Sequence, residues 1–501
     1  MFEGQPKGLY ALALANTGER FGYYTMLAVF VLFLQANFGW SEGNTIAVYS
    51  GFLGVVYFLP IIGGALADKI GFGKCVTTGI IVMFLGYLLL SIPAGASTIA
   101  VVLMFVALLF IAVGTSLFKG NLQVMVGNLY DDPKIADKRD SAFSIFYMAI
   151  NIGALFAPTA AVEIMKYAQN TLGVSEANSY HFAFAVACVS LILSILIYYT
   201  FRSTFAHVDV KKENKKDEKA AVANEPQLSK KEVSDRMTAL FLVFAVVIFF
   251  WMAFHQNGGT LTQFAKDFTE QSSFGLQSMM FDVTNLLAVI FIVYSGFALF
   301  QSKTGRGKLI SGSVILLSLA FLAYKYGSIS PDGVEVDAPI FQQFNPCFVV
   351  ALTPVSMAVF SWLASRGKEP SAPRKIAYGM LVAGLGYVIM VLSSVGLGYD
   401  SGERVSTNWL VSTYLVLTFA ELLLSPMGIS FVSKVAPPQY KGLMMGCWFG
   451  ATAIGNFLVS IPGYMWGKLP LVAVWGVLVA LCLASFLFIF SVMKRLEKVA
   501  K

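Results

Sequence analysis

Long apolar runs, broken at short intervals by polar turns, dominate the chain from end to end. About fourteen of them reach 19 or more residues, near 9–35, 44–68, 74–95, 98–128, 139–167, 180–202, 237–257, 278–300, 308–326, 343–365, 374–398, 407–434, 441–464 and 470–494. A helix of that length crosses roughly 30 Å of hydrocarbon, and inside lipid a helix satisfies its own backbone polar groups. The pattern therefore predicts an all-α polytopic membrane protein. From Met1 to Gly8 the chain enters its first span without a basic leader or a small-residue cleavage site, so this helix is expected to stay.

Composition agrees with the pattern. Of 501 residues 57% are hydrophobic and 13% charged, and the mean hydropathy of +0.71 excludes a soluble domain. The net charge of +7 raises the question of a nucleic-acid partner, but its distribution answers otherwise. Lys69 and Lys74; Lys134, Lys138 and Arg139; Lys303, Arg306 and Lys308; Arg366, Lys368, Arg374 and Lys375; and Lys494, Arg495 and Lys498 all fall in alternate loops. The intervening loops are poor in basic residues, and the one at 327–340 is acidic through Asp332, Glu335 and Asp337. The positive-inside rule puts the basic loops and both termini in the cytoplasm. A bacterial inner membrane is the expected location, with lipid as partner and nucleic acid excluded.

Six spans come first, over 1–202. The segment 203–236 (with VDVKKENKKDEKAAVANEPQLSKKEVSD) trades apolar residues for Lys and Glu and reads as a cytoplasmic linker, a solvated connector or a contact with anionic lipid. A second set of spans occupies 237–501. GGALADKIGFGK at 63–74 and SRGKEPSAPRK at 365–375 join corresponding spans, which suggests two duplicated six-helix bundles with a cavity between them at the membrane midplane. Six and six leave two spans over; the surplus is a hairpin at about 278–326, joined by the basic turn QSKTGRGK and without midspan charge.

Charge inside a span is costly, so the few exceptions mark candidate chemistry. Glu19 and Arg20 lie mid-span in ANTGERFGYYTM, with Asn16 and Tyr23 on the face of Glu19 and Tyr24 on that of Arg20. Lys119 lies in SLFKGNLQ and Glu421 in TFAELLLSPMG. The cations Arg20 and Lys119 in the first half face an anion, Glu421, in the second. A zwitterion spanning the cavity would satisfy both, and an extended di- or tripeptide is roughly 7–10 Å long. A structural ion-pair network locking the halves is the alternative reading. His255, in FFWMAFHQNGGTLTQF at the outer end of the seventh span, is either a proton carrier or a hydrogen-bonded core histidine. The five cysteines (Cys75, Cys188, Cys347, Cys447, Cys482) share no metal-like spacing and read as small core residues. No cluster offers a nucleophile with a base, and His181, His207 and His255 are scattered, so an enzyme is not expected.

Taken in order, these motifs resemble the proton-dependent oligopeptide transporter (POT/PTR) family of the major facilitator superfamily. ERFGYY at 19–24 is similar to its E-x-x-E-R-F-x-Y-Y, FKGN at 118–121 to its span-four lysine motif, and FSIFYMAINIGALFAP at 143–158 to its F-Y-x-x-x-N-x-G signature. FNP at 344–346, ELLLSPMG at 421–428 and MMGCWF at 444–449 match its elements in spans eight, ten and eleven, the hairpin left uncounted. The resemblance implies a major-facilitator fold and proton-coupled symport of di- and tripeptides by alternating access. It implies that Arg20 and Lys119 receive the peptide carboxylate or exchange salt bridges with Glu19. Glu421 and Asn345 would hold the amino end, Asn151 would support the backbone, and Tyr23, Tyr57, Tyr147 and Trp448 would line side-chain pockets. Asp68, in ADKIGFGK, would steady the inward gate. The proton is the one coupling ion expected, with no cofactor and no metal, and Glu19, His255 and Glu421 are its candidate sites.

Two departures bear on coupling. The family's first motif usually opens on a glutamate where this chain has Asn16, and the position before Gln256, often acidic in relatives, holds His255. The extra hairpin, which many bacterial relatives place between the halves, here falls after the seventh span. Rival readings on the same fold are a nitrate-like anion or a drug as cargo, or a non-transporting peptide sensor. A monomer is expected, with the oligomeric state left open by the sequence.

Overall fold

The computed structural model describes residues 4–135, 138–209, 228–437 and 440–500. It is all-α, and fourteen of its helical segments are long and apolar enough to cross a membrane. The polytopic all-α class read from the hydropathy pattern stands. The first seven helices are α1 (Lys7–Phe38), α2 (Glu42–Phe58), α3 (Pro60–Ile70), α4 (Phe72–Ser91), α5 (Thr98–Asn128), α6 (Arg139–Leu172) and α7 (Glu176–Thr200). Then come α8 (Lys230–Phe254), α9 (Thr260–Phe268), α10 (Val283–Gln301), α11 (Gly305–Gly327), α12 (Phe344–Ser365), α13 (Ala372–Ser393), α14 (Thr407–Val435), α15 (Lys441–Leu458), α16 (Ser460–Met465), α17 (Leu471–Ser491) and α18 (Met493–Ala500).

Two apolar cores organise these helices. One joins α1 to α7 around Phe30, Tyr87, Phe118 and Phe184; the other joins α8, α9 and α12 to α17 around Phe250, Phe264, Tyr387 and Trp475, with Leu155 and Val162 of α6 reaching into it. α10 and α11 pack chiefly on each other as an antiparallel pair, and Phe300, Leu309 and Leu316 on their outer surfaces are exposed. In a membrane chain such residues face lipid, the solvent that needs no polar cover. The inner face of α10 joins the second core through Val283, Leu286 and Ile290, and α11 is the peripheral helix, packed chiefly on α10.

Where helices stop and start follows local chemistry. Ser229 and Glu232 form a reciprocal capping box, so α8 begins at Lys230, inside the stretch read as linker. Pro60 ends one helix and opens another, dividing the second span at Leu59. The seventh span does not end at 257. A 3-10 turn over His255–Gly258 interrupts it, and α9 carries it on to Phe268. His255 thus sits at a break within the span rather than at its outer end.

Alternation of fourteen spans gives the molecule a basic-loop face, with both chain ends, and an acidic-loop face. At the acidic-loop face a two-stranded ribbon, β1 (Ser272–Ser273) with β2 (Val334–Glu335), ties the hairpin's flanks together. Here the two halves also meet. Gln35 on α1 donates to the Gln263 side chain at 2.7 Å and accepts from Lys266 at 2.8 Å. Ser50 on α2 donates to the carbonyls of Asn456 and Phe457, both at 2.7 Å, and Lys166 pairs with Glu335 and Asp337, both at 2.8 Å. α2 packs along α15 and α16 over the same region. The molecule is closed at this face.

Candidate binding site between the two bundles

Each half contributes one polar surface to the interface between them. On α1, Glu19 and Arg20 are neighbours in sequence and their side chains form a two-pronged ion pair, with Nε and one terminal nitrogen of the guanidinium donating to the two carboxylate oxygens. Both residues are almost fully buried, at 1% and 2% exposure. A lone charge at that depth would be intolerable, whereas a planar fork on a carboxylate is the geometry that repays desolvation best. The guanidinium carbon lies 4.6 Å from the centre of the Tyr23 ring. Thus Arg20 is already neutralised within its own bundle.

Lys119, on α5, is not. Among the described residues it has no carboxylate within salt-bridge distance; its ammonium sits 4.6 Å from the centre of the Tyr57 ring on α2. The aromatic face is a weak anion substitute, about 0.5 to 2 kcal/mol. Arg20 and Glu19 are near enough to act on Lys119 with opposite sign, and the half-buried amine stays available to an incoming anion.

The second half presents a carboxylate. Glu421 lies on α14, where Pro426 removes a helical hydrogen bond and frees the carbonyl of Leu422. Its partners are neutral: Asn345 Nδ2 donates to Oε2 at 3.0 Å and the Tyr147 hydroxyl, from the other half, lies 3.5 Å from Oε1. Asn345 is steadied by Thr418, at 3.1 Å. Tyr147 is 42% exposed although it lies at this depth, so solvent reaches the site. Tyr24, Tyr57 and Tyr147 all act electrostatically on or with Glu421, forming a phenolic layer between the cations and the carboxylate.

His255 borders this layer. Its ring stacks on Trp251 at 5.1 Å and tilts against Tyr57 at 5.8 Å, and its Nδ1 meets Asn456 Oδ1 at 2.6 Å. Asn151 turns back on its own helix, donating to the Tyr147 carbonyl at 3.0 Å; it braces α6 where Tyr147 leaves it. Trp448 is buried against α14, and a Cβ added at Gly428 would fall 2.0 Å from the indole Cη2. Only glycine admits the ring so close. Asp68 lies on α3, and its side chain is outside the described residues. Asn16 is buried with its Nδ2 unpartnered among the described residues.

The structure brings Glu19, Arg20, Tyr23, Tyr57 and Lys119 to one side and Tyr147, Asn345 and Glu421 to the other. It adds Thr418 and Asn456, which sequence reasoning passed over because it followed charges; an amide in the apolar run GATAIGNFL was the available signal for Asn456. A lateral groove of about 620 Å³, lined by Trp40, Asn44, Gly51, Phe105, Phe457 and Tyr464, has no charged side chain and is separate from this site. Among the described residues no three His, Cys, Asp or Glu side chains converge as a metal ion would need.

Two helical bundles meeting over buried, oppositely charged side chains make a fold of the major-facilitator type. A family model described as POT family matches residues 74–224 and 326–468, more than half of the chain, and the chain belongs to that family. It is 31% identical to the uncharacterized transporter YclF of Bacillus subtilis (strain 168), with 99% of this chain and 96% of the relative covered. It is 28% identical to the peptide transporter YePEPT of Yersinia enterocolitica subsp. palearctica (92% and 88% covered) and 28% identical to a di-/tripeptide transporter of Lactococcus lactis subsp. lactis (89% and 87% covered). In fold it is similar to a crystal structure of a peptide transporter POT in complex with sulfate, with TM-score 0.75 at 24% identity over 100% of this chain and 96% of the other. A POT family transporter in complex with 5-aminolevulinic acid gives TM-score 0.75 at 20% identity, covering 100% and 98%.

Proposed function

We propose that this chain is a proton-coupled symporter that imports di- and tripeptides by alternating access across a bacterial inner membrane, with the basic-loop face and both termini in the cytoplasm. One observation carries the reading: the accessible site has an anion-accepting side, Lys119 beside the Glu19–Arg20 pair, and a cation-accepting side, Glu421 held only by neutral donors. The fixed features of every short peptide are its carboxylate, its ammonium and the amide between them. Anchoring the ends leaves side chains free to vary.

In this scheme the structure is inward-facing: Lys119, with Arg20 in reserve, takes the substrate carboxylate, and Glu421 with Asn345 takes the ammonium. Tyr23, Tyr57, Tyr147 and Trp448 border the side-chain space, Asn151 holds Tyr147 in place, and Asp68 belongs to the gate at the basic-loop face. Residues 1–202 and 237–501 rock against each other about the site, with 203–236 as tether and the hairpin as a peripheral attachment. Protonation of Glu19 would break its fork to Arg20 and free a second cation for the carboxylate, while His255 and Glu421 are the further proton sites. Each charge moved inward gains about 2.3 kcal/mol per 100 mV of membrane potential. The relatives named as peptide and di-/tripeptide transporters support the cargo. The relative solved with 5-aminolevulinic acid, itself an amino acid with separated ends, supports the two-ended grip.

The test is uptake of labelled dialanine into proteoliposomes, with and without an inward proton gradient, for wild type and Glu421→Gln. Gradient-driven accumulation that the substitution abolishes is the expected result. Exchange without accumulation would remove proton coupling, and no movement at all would return the cargo to an anion or a drug, or leave a sensor.

A further inference from the structure

The break in the seventh span is pinned from outside its own helix. His255 Nδ1 meets Asn456 Oδ1 at 2.6 Å, and Gln256 Nε2 donates to the Val459 carbonyl at 3.3 Å. These bonds join the interruption between α8 and α9 to the one between α15 and α16. From the first half, Ser50 binds the Asn456 carbonyl itself, and a Cβ at Gly258 would lie 2.3 Å from the Tyr49 hydroxyl. Two breaks and one inter-bundle contact thus share a single asparagine. With Asn456 Oδ1 assigned toward the ring an amide oxygen only accepts, so the hydrogen between the two side chains belongs to His255 Nδ1 and the imidazole lone pair to Nε2, and this assignment leaves Asn456 Nδ2 buried without a partner among the described residues. Nε2 has no hydrogen-bond partner among the described residues. Against the ring stand Tyr57 from α2 and its own neighbours Trp251 and Phe254, while Tyr387 from α13 and Tyr414 from α14 donate to the adjoining backbone carbonyls of Ala253 and Asn257 and Tyr49 from α2 abuts Gly258. Lys119 is the one charged group acting on it among the described residues.

We propose that Asn456 is a positioning residue for the coupling proton: it fixes the His255 ring with Nδ1–H toward itself and leaves Nε2 to be protonated, joining that event to the closed contact at Ser50. The transport part rests on the symport reading above, whereas the histidine's tautomer and titration do not. With Asn456 absent the imidazolium loses its acceptor and is harder to form. With aspartate there it gains a counter-charge.

The chain has three histidines, so ¹⁵N-histidine NMR in nanodiscs resolves His255, identified by its loss in His255→Gln. The expected result is an Nδ1–H neutral ring in wild type. In Asn456→Leu we expect a mixture of tautomers and a titration midpoint lower by about half a pH unit or more, and in Asn456→Asp a midpoint raised by a similar amount. The pH profile of gradient-driven dialanine uptake moves in the same directions. An Nε2–H ring in wild type, or one midpoint shared by all three proteins, overturns the proposal. If wild type moves no dialanine while the ring behaves as expected, the cargo reading falls and the positioning role stands.

Discussion

The two sides of the cavity handle buried charge in opposite ways. In the first half, Arg20 is matched by the residue beside it, Glu19, and the pair is sealed at a few per cent exposure. In the second half, Glu421 has no cation among the described residues and is held by an amide and a phenol. A paired charge is a store that must be opened before it can bind, and protonation of its acid is one way to open it. A carboxylate with only neutral donors is a vacancy for a cation. Lys119, resting on Tyr57 without a salt bridge, is the matching vacancy for an anion. In the proposed symport the asymmetry would divide labour: the first half would carry both a binding cation and a gated reserve, and the second the anchor for the opposite end.

Substitutions can break this division. The largest effect is expected from Glu421→Gln, which keeps the hydrogen bonds and removes the charge: losing a desolvated ionic partner costs about 2–5 kcal/mol, so kcat/KM for dialanine should fall about a hundredfold, read by initial uptake rates. Lys119→Gln should follow, lowering uptake about tenfold to a hundredfold through KM, and a charge-blind site would leave KM unchanged. Glu19→Gln should abolish gradient-driven accumulation while counterflow persists, because the variant resembles the protonated state; equal loss of both would make the pair structural. Gly428→Val should be milder. It drives a side chain into Trp448 and costs about 1–3 kcal/mol as overpacking, seen as a lower Tm and a changed preference for bulky peptide side chains.

The smallest effect lies at the hairpin. Partial burial pushes the Asp282 carboxyl up, but Lys325 at 2.6 Å and the Thr284 hydroxyl and N–H outweigh it and hold the carboxyl below its usual range. A carboxyl lowered on folding stabilises the protein at neutral pH and loses that contribution as pH falls through the carboxylate range. Asp282→Asn should therefore lower stability slightly at pH 7, by about 0.5 kcal/mol, seen as a small drop in Tm, and the difference should fade as pH falls below the ordinary aspartate range. Peptide uptake should not change.

Much of the architecture was legible because hydropathy is a local property. Fourteen spans, the alternating basic loops and the surplus hairpin could be counted residue by residue. The break at His255 could not, since Gln256, Thr260 and Gln263 end an apolar run in sequence yet find partners in the fold: Thr260 donates to Gln256 at 2.7 Å and Gln263 to Asp267 at 2.5 Å. Hydropathy prices such groups as if they were unpaired. The start of α8 was hidden for a related reason, because its capping box lies among linker lysines. At the site, the buried charges were visible as charges, but their partners were not. Glu421 meets Tyr147 and Asn345 only through tertiary packing, and Asn456, neutral and far along the chain, offered no charge to follow. The packing of Trp448 on Gly428 depends on a close approach that spacing does not encode.

The central claim is that one cavity grips a substrate by two opposite ends. Counterflow of labelled dialanine against unlabelled dialanine, N-acetyl-dialanine and dialanine amide, in proteoliposomes without a gradient, tests it most directly. Only the molecule with both free ends should exchange at the full rate, and Glu421→Gln should erase the penalty for acetylation while Lys119→Gln erases that for amidation. Equal exchange of all three by wild type would contradict the account.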